Sequence, residues 1–160
     1  MRDKRRVGIY LLLLAGIGAL ALFLTMPGAS DAQLIREALE ESIRAGKEGR
    51  PGSVLDLLSR EFTINEREVG SYRDVARAIR DARPDVEIEN WAADISAETA
   101  VMVTPVKVKL RGPLAFEARL AEVRLEFRKE TGTKWLVIPT RTWKLHRVQV
   151  PEWAIRDLGI

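Results

Sequence analysis

Residues 7–26 form an uncharged stretch, VGIYLLLLAGIGALALFLTM, close to the start of the 160-residue chain. A helix rises about 1.5 Å per residue, so twenty residues reach about 30 Å, the thickness of the hydrocarbon core of a bilayer. A helix also satisfies its own backbone hydrogen bonds, which the membrane interior requires. The sequence therefore predicts one transmembrane helix at residues 7–26.

The residues around this stretch predict its orientation. Residues 1–6, MRDKRR, carry four basic side chains and one acidic side chain, and such a flank normally stays in the cytoplasm. We therefore expect a cytoplasmic tail, a single-pass anchor in the cell membrane and an extracytoplasmic C-terminal domain. The alternative is a signal segment, cleaved or uncleaved, with Ser30-Asp31-Ala32 as the cleavage site. Both interpretations place the domain outside the cytoplasm.

Charge and composition exclude several classes of function. The whole chain has 26 basic and 23 acidic residues, but without residues 1–6 it has 22 of each. A domain with no net charge is not the basic protein that nucleic-acid binding favours, so we expect no nucleic-acid partner. The chain has no cysteine and one histidine, which leaves no thiol chemistry and no ligand cluster for a metal. We expect no cofactor.

After the short Pro27–Ala29 linker, the pattern of apolar residues changes from helical to extended. Three amphipathic segments come first, and Ser71 followed by Asp74 is typical of a helix N-cap. From residue 86 onwards apolar residues alternate with polar ones, which predicts strands separated by turns at residues 112–113 and 131–133. In the second long strand the apolar residues occupy even-numbered positions up to Leu120 and odd-numbered positions from Val123 to Phe127. Such a change of parity within one strand predicts a β-bulge and a bent sheet. Residues 151–160 are expected to form a C-terminal tail.

This order predicts an α+β domain in which three helices pack on a curved antiparallel sheet. The segments LIREALEESIRAG, LLSREF, SYRDVARAI and KWLVI occur in it in that order. The chain resembles the nuclear transport factor 2-like superfamily, the cone fold of ketosteroid-isomerase and SnoaL-like proteins, over a domain at residues 30–150. The superfamily includes isomerases, dehydratases, cyclases and non-enzymatic binding or assembly modules, so the fold alone does not select a function.

The resemblance implies a catalytic arrangement that this sequence lacks. Isomerases of the superfamily are known for a tyrosine on the first helix and carboxylates facing into the cone. Here the inward face of the first helix carries Ile35, Leu39 and Ile43. We therefore predict no catalytic residue and a membrane-anchored interaction or assembly module. The alternative is small-molecule binding, or an isomerase-like or dehydratase-like enzyme that uses the cone cavity.

Two groups of residues are the candidates for these alternatives. Tyr72, Asn90 and His146 could line a cone cavity that holds a small apolar ligand, although each also fits an ordinary structural position. Trp143, Lys144 and Arg147 on the last strand would suit a protein contact, because aromatic and arginine side chains are favoured at interfaces. The expected partner is a second copy of the chain or another membrane or envelope protein.

Overall fold

The computed structural model describes residues 29–112, 115–134 and 138–154. The predicted tail at residues 1–6 and the predicted anchor at residues 7–26 lie outside the described residues. Within the described ranges, no helix has the length and apolar character needed to cross a membrane. The chain divides between Ser30 and Asp31, and all the helices and strands described below belong to the second unit.

Three helices occur where the sequence predicts them: α1 (Asp31–Lys47), α2 (Pro51–Leu57) and α3 (Tyr72–Ala82). The predicted inward residues Ile35 and Leu39 of α1 are buried. On the solvent-exposed side of this helix, Arg36 forms an ion pair with Glu40 at 2.8 Å. The predicted cap of α3 is confirmed, since the Ser71 hydroxyl accepts a hydrogen bond from the Asp74 N–H. The spacing of Ser53 and Asp56 predicts a capped start for the second helix at Ser53, but α2 begins at Pro51 and has no side-chain cap.

The strands are β1 (Leu58–Ile64), β2 (Arg67–Glu68), β3 (Asp85–Ile88), β4 (Ala93–Ile95), β5 (Thr99–Leu110), β6 (Phe116–Lys134) and β7 (Ile138–Gln149). In the described residues they form one sheet in the order β2-β1-β7-β6-β5-β3, and β4 also pairs with β5. Because β1 runs parallel to β7, the curved sheet is mixed, and the expectation of an antiparallel sheet is wrong at this pair. The α+β class is confirmed.

The predicted bulge in β6 is confirmed. Thr104 pairs with Val123 and Val106 pairs with Leu120, so Pro105 alone lies opposite Ala121 and Glu122. The extra residue places Leu120 and Val123 on the same face, although they are three positions apart. This face, called the inner face, packs against α1 and contributes the largest buried side chains, which include Phe127 and Met102.

The turn predicted at residues 131–133 is wrong. Strand β6 continues to Lys134, and Thr131 to Lys134 pair with residues 138–141 of β7. Thr-Gly-Thr has the composition of a turn, but the pairing of two long strands extends through it.

The domain also continues beyond residue 150, where the C-terminal tail was expected to begin. The Asn65 side chain donates to the Val150 carbonyl and accepts from the Val150 N–H, each at 2.8 Å. Ala154 is fully buried in the core. Residues 151–154 therefore belong to the folded domain, and residues 155–160 lie outside the described residues.

Candidate functional site

Two of the predicted cavity residues, Tyr72 and His146, meet at Ser59. The Tyr72 hydroxyl donates to the Ser59 carbonyl at 3.0 Å, and Ser59 Oγ lies 3.3 Å from His146 Nδ1. On the β6 side of β7, His146 is the extra residue of a bulge between Leu145 and Arg147. On the β1 side, the pairing with β7 is interrupted for the four residues between Leu58 and Thr63. These irregularities leave a shallow groove of about 530 Å³ beside Ser59 and His146.

This arrangement positions side chains but is poorly suited to chemistry. Ser59 is only 4% exposed, so its hydroxyl has little access to a substrate. The groove wall mixes basic and acidic side chains from the two neighbouring strands: Arg60, Glu61, Arg128, Lys129 and Glu130. Such a mixture favours neither an anionic nor a cationic ligand. These contacts are best explained as structural, because they join α3, β1 and β7 through Tyr72, Ser59 and His146.

The third cavity candidate, Asn90, serves a local turn. It is exposed, and its side-chain oxygen accepts from the Ala92 N–H at 3.0 Å. Its own N–H donates to the buried Thr104 hydroxyl at 2.9 Å. This amide follows β3 and closes a turn between strands, a common role for asparagine.

Trp143 belongs to the domain core, which removes it from the exposed contact surface proposed for it. The side chain is 4% exposed, and its indole N–H donates to Asp31 at 3.0 Å. Lys129 pairs with the same carboxylate at 2.8 Å and lies 4.9 Å from the centre of the indole ring. Asp31, Lys129 and Trp143, called the Trp143 cluster, hold the first turn of α1 against β6 and β7.

The two basic contact candidates are partly exposed and already have partners. The Lys144 ammonium donates to the backbone carbonyl oxygen of Asp56. Arg147 Nη1 lies 3.8 Å from Glu126, whereas its Nε is buried without a hydrogen-bond partner among the described residues. Their role in a protein contact stays a prediction.

A second groove, of about 430 Å³, lies between α1, α2 and β7. Its floor is apolar and comprises Leu34, Ala38, Leu57 and part of Trp143. Three exposed carboxylates, Glu37, Glu41 and Asp56, stand around the opening together with Lys144. We call this feature the acid-rimmed groove. Its volume falls within the usual range for ligand and side-chain pockets, about 300–1,000 Å³.

The exposed side of the β3–β5–β6 region carries paired charges. Arg119 donates two hydrogen bonds to Glu89, each at 2.8 Å, and Lys109 lies 3.1 Å from Glu117. The hydrogen bond from Arg119 lowers the pKa of Glu89. Because the folded-state pKa is lowered, this pair stabilises the fold at neutral pH and loses its effect on acidification. Both groups are exposed, so the contribution is small.

Sequence reasoning missed Ser59, Asp31 and Lys129, although each organises one of these clusters. Ser59 lies in the segment LLSREF and Asp31 in Ser30-Asp31-Ala32, but neither pattern indicates a contact with His146 or Trp143, which are 87 and 112 positions away. The carboxylates of the acid-rimmed groove had a weak signal, since Glu37 and Glu41 are one helical turn apart. Among the described residues, no group of three His, Cys, Asp or Glu side chains could hold a metal ion.

Comparison with solved structures identifies the fold. A nuclear transport factor 2-like protein from Cytophaga hutchinsonii has a TM-score of 0.57 at 12% identity, over 76% of this chain and 98% of the other. The CaMKII hub of S. rosetta has a TM-score of 0.56 at 14% identity, over 79% and 98%. A provisionally assigned ketosteroid isomerase from Shewanella frigidimarina has a TM-score of 0.53 at 13% identity, over 76% and 95%. The domain has the nuclear transport factor 2-like fold.

This result confirms the fold that the sequence resemblance implied. Neither a protein-family model nor a curated protein sequence matches the chain. At identities of 12–14%, the solved structures establish the arrangement of helices and strands and leave the function to be argued from this chain's own residues.

Proposed function

We propose that the chain is a membrane-anchored extracytoplasmic module that binds another protein, or a second copy of itself, and performs no catalysis. The observation that carries the proposal is the inner face, where a cone enzyme would need converging polar groups. The described part of this face is largely apolar, with Met102 and Phe127 among its most buried side chains. The hydroxyl of its buried Thr104 is hydrogen-bonded to the Asn90 N–H and the Pro105 carbonyl. Tyr72, Asn90 and His146 have structural partners instead.

The fold neighbours are compatible with this proposal. One of them, the CaMKII hub of S. rosetta, has a name that denotes assembly. The anchor predicted at residues 7–26 would confine the domain to one plane. Such confinement raises the effective concentration of binding partners in that plane and makes weak contacts useful.

The alternative is an enzyme, and the observation that favours it is the pair formed by Ser59 and His146. It would need a substrate in the shallow groove and a water-accessible hydroxyl. A turnover that His146→Ala abolishes, while the unfolding midpoint stays unchanged, would establish the enzyme and overturn the binding proposal.

The predicted topology can be tested by thiol labelling, because the chain has no cysteine of its own. We expect Ala97→Cys, in the exposed loop before β5, to react with a membrane-impermeant maleimide in intact cells. Asp3→Cys, in the tail, should react only after lysis, since a basic flank stays inside. Labelling of Ala97→Cys only after lysis would contradict the orientation, and a mature chain that begins at Gln33 would contradict the retained anchor.

A further inference from the structure

The acid-rimmed groove combines a partly open apolar floor with acidic side chains around its opening. This floor is accessible to water at the partly buried Leu34 and Ala38, whereas Leu57 and Trp143 lie deeper and are buried. Burying such a surface against a partner releases its hydration water and is favourable by about 25 cal/mol for each Å². The accessible apolar area is small, so the floor indicates a binding surface only together with the charges around the opening.

The charges around the opening limit what can bind. In the described residues, the carboxylates of Glu37 and Asp56 have no ion-pair partner, and Glu41 has only contacts of 3.4 Å to Arg44 and Ser53. Among the wall residues that the structure describes, Lys144 is the one basic group, and its ammonium is bound to a backbone carbonyl. The rim is therefore net negative. It repels anionic lipid headgroups and nucleic-acid phosphates and attracts cations.

The spacing of these acids favours a polypeptide over a small amine. Glu37 and Glu41 lie one turn apart on α1, and Asp56 lies on α2 on another side of the floor. A ligand of this groove therefore has to contact the floor and pair with acids that stand on two different helices. A chain segment with several cationic side chains can do both.

We propose that the acid-rimmed groove binds a segment of a protein partner in which lysine or arginine side chains flank apolar ones. The apolar side chains contact the floor formed by Leu34, Ala38 and Leu57. The cationic side chains pair with Glu37 and Asp56. This inference rests on the proposed function, since it names the chemistry of the partner that the module would bind.

The test uses the full chain in nanodiscs of zwitterionic lipid and a fluorescent peptide, Lys-Lys-Leu-Leu-Phe-Lys-Lys, followed by anisotropy against empty nanodiscs. We expect saturable binding that weakens with salt. Replacing both Glu37 and Asp56 by Lys should weaken binding about tenfold or more, because it reverses two interfacial charges. The control variant, Glu98→Lys with Glu122→Lys, makes the same change in net charge at exposed sites away from the groove and should bind normally.

Several results would overturn the inference. Equal losses of peptide affinity in the two double variants would mean that binding depends on the net charge of the protein and not on the groove. Equal binding of a peptide with glutamate in place of lysine would exclude a role of the acidic rim in binding. Equal binding of a peptide with serine in place of the apolar residues would exclude a role of the floor. Displacement by phenethylamine as effective as that by the peptide itself would assign the groove to a small amine. Failure of these tests leaves the topology and turnover tests of the proposed function unaffected, so the two failures are distinguishable.

Discussion

Phe127→Ala should lower the free energy of unfolding by about 3–5 kcal/mol, the usual cost of truncating a buried phenylalanine. Phe127 is 1% exposed and packs on the inner face, where the surrounding helix and strands hold the cavity open after truncation. Chemical denaturation of the chain, followed by circular dichroism, measures the change.

The neighbouring residue is the matched control for this substitution. Arg128 is exposed on the opposite side of β6, so Arg128→Ala should cost well under about 1 kcal/mol. The contrast depends on the bulge opposite Pro105, which sets the parity of every residue after it. Similar unfolding midpoints for the two variants would mean that this parity is assigned incorrectly.

Trp143→Ala should destabilise the domain by a similar amount, about 3–5 kcal/mol. The substitution removes a buried ring and the indole N–H that donates to Asp31. It also removes the aromatic face beside Lys129, whose ion pair with Asp31 is then more exposed to water. Thermal or chemical unfolding measures the loss.

A second tryptophan is a control that distinguishes the effect of losing a buried side chain from the effect of losing any tryptophan. Trp153 is 46% exposed, and Trp153→Ala should cost far less than Trp143→Ala. Trp143→Phe keeps most of the buried area and loses one hydrogen bond to a carboxylate, so its expected cost is about 1.5–3 kcal/mol. If Trp143→Ala leaves the unfolding midpoint unchanged and instead alters self-association, Trp143 acts as the exposed contact that its sequence position suggested.

Features carried by local patterns could be predicted from the sequence. The parity change between Leu120 and Val123 predicted the bulge, and Ser71 with Asp74 predicted the start of α3. Both depend on residues a few positions apart, whose geometry follows from backbone periodicity. The order of helices and strands, built from such signals, was sufficient to indicate the cone fold.

Features that depend on distant pairs could not be predicted in this way. The parallel pairing of β1 with β7 joins Leu58 to Leu145, and no local pattern specifies it. The Trp143 cluster joins residues separated by 98 and 112 positions in the sequence. Trp143 did have a usable signal, because it shares strand parity with the buried Leu145. Its basic neighbours Lys144 and Arg147 suggested a surface position and obscured that signal.

The claim that this domain works by binding a protein is tested most directly by photo-crosslinking in cells that produce the full chain. A photoreactive amino acid in place of Glu41, at the acid-rimmed groove, should yield a discrete crosslinked polypeptide in the membrane fraction. The same amino acid in place of Glu122, on an exposed part of β6, should not yield that product. Adding Glu37→Lys and Asp56→Lys to the groove variant should remove the product, because the partner's cations lose their carboxylates. Absence of any crosslinked polypeptide from both positions would contradict the binding account.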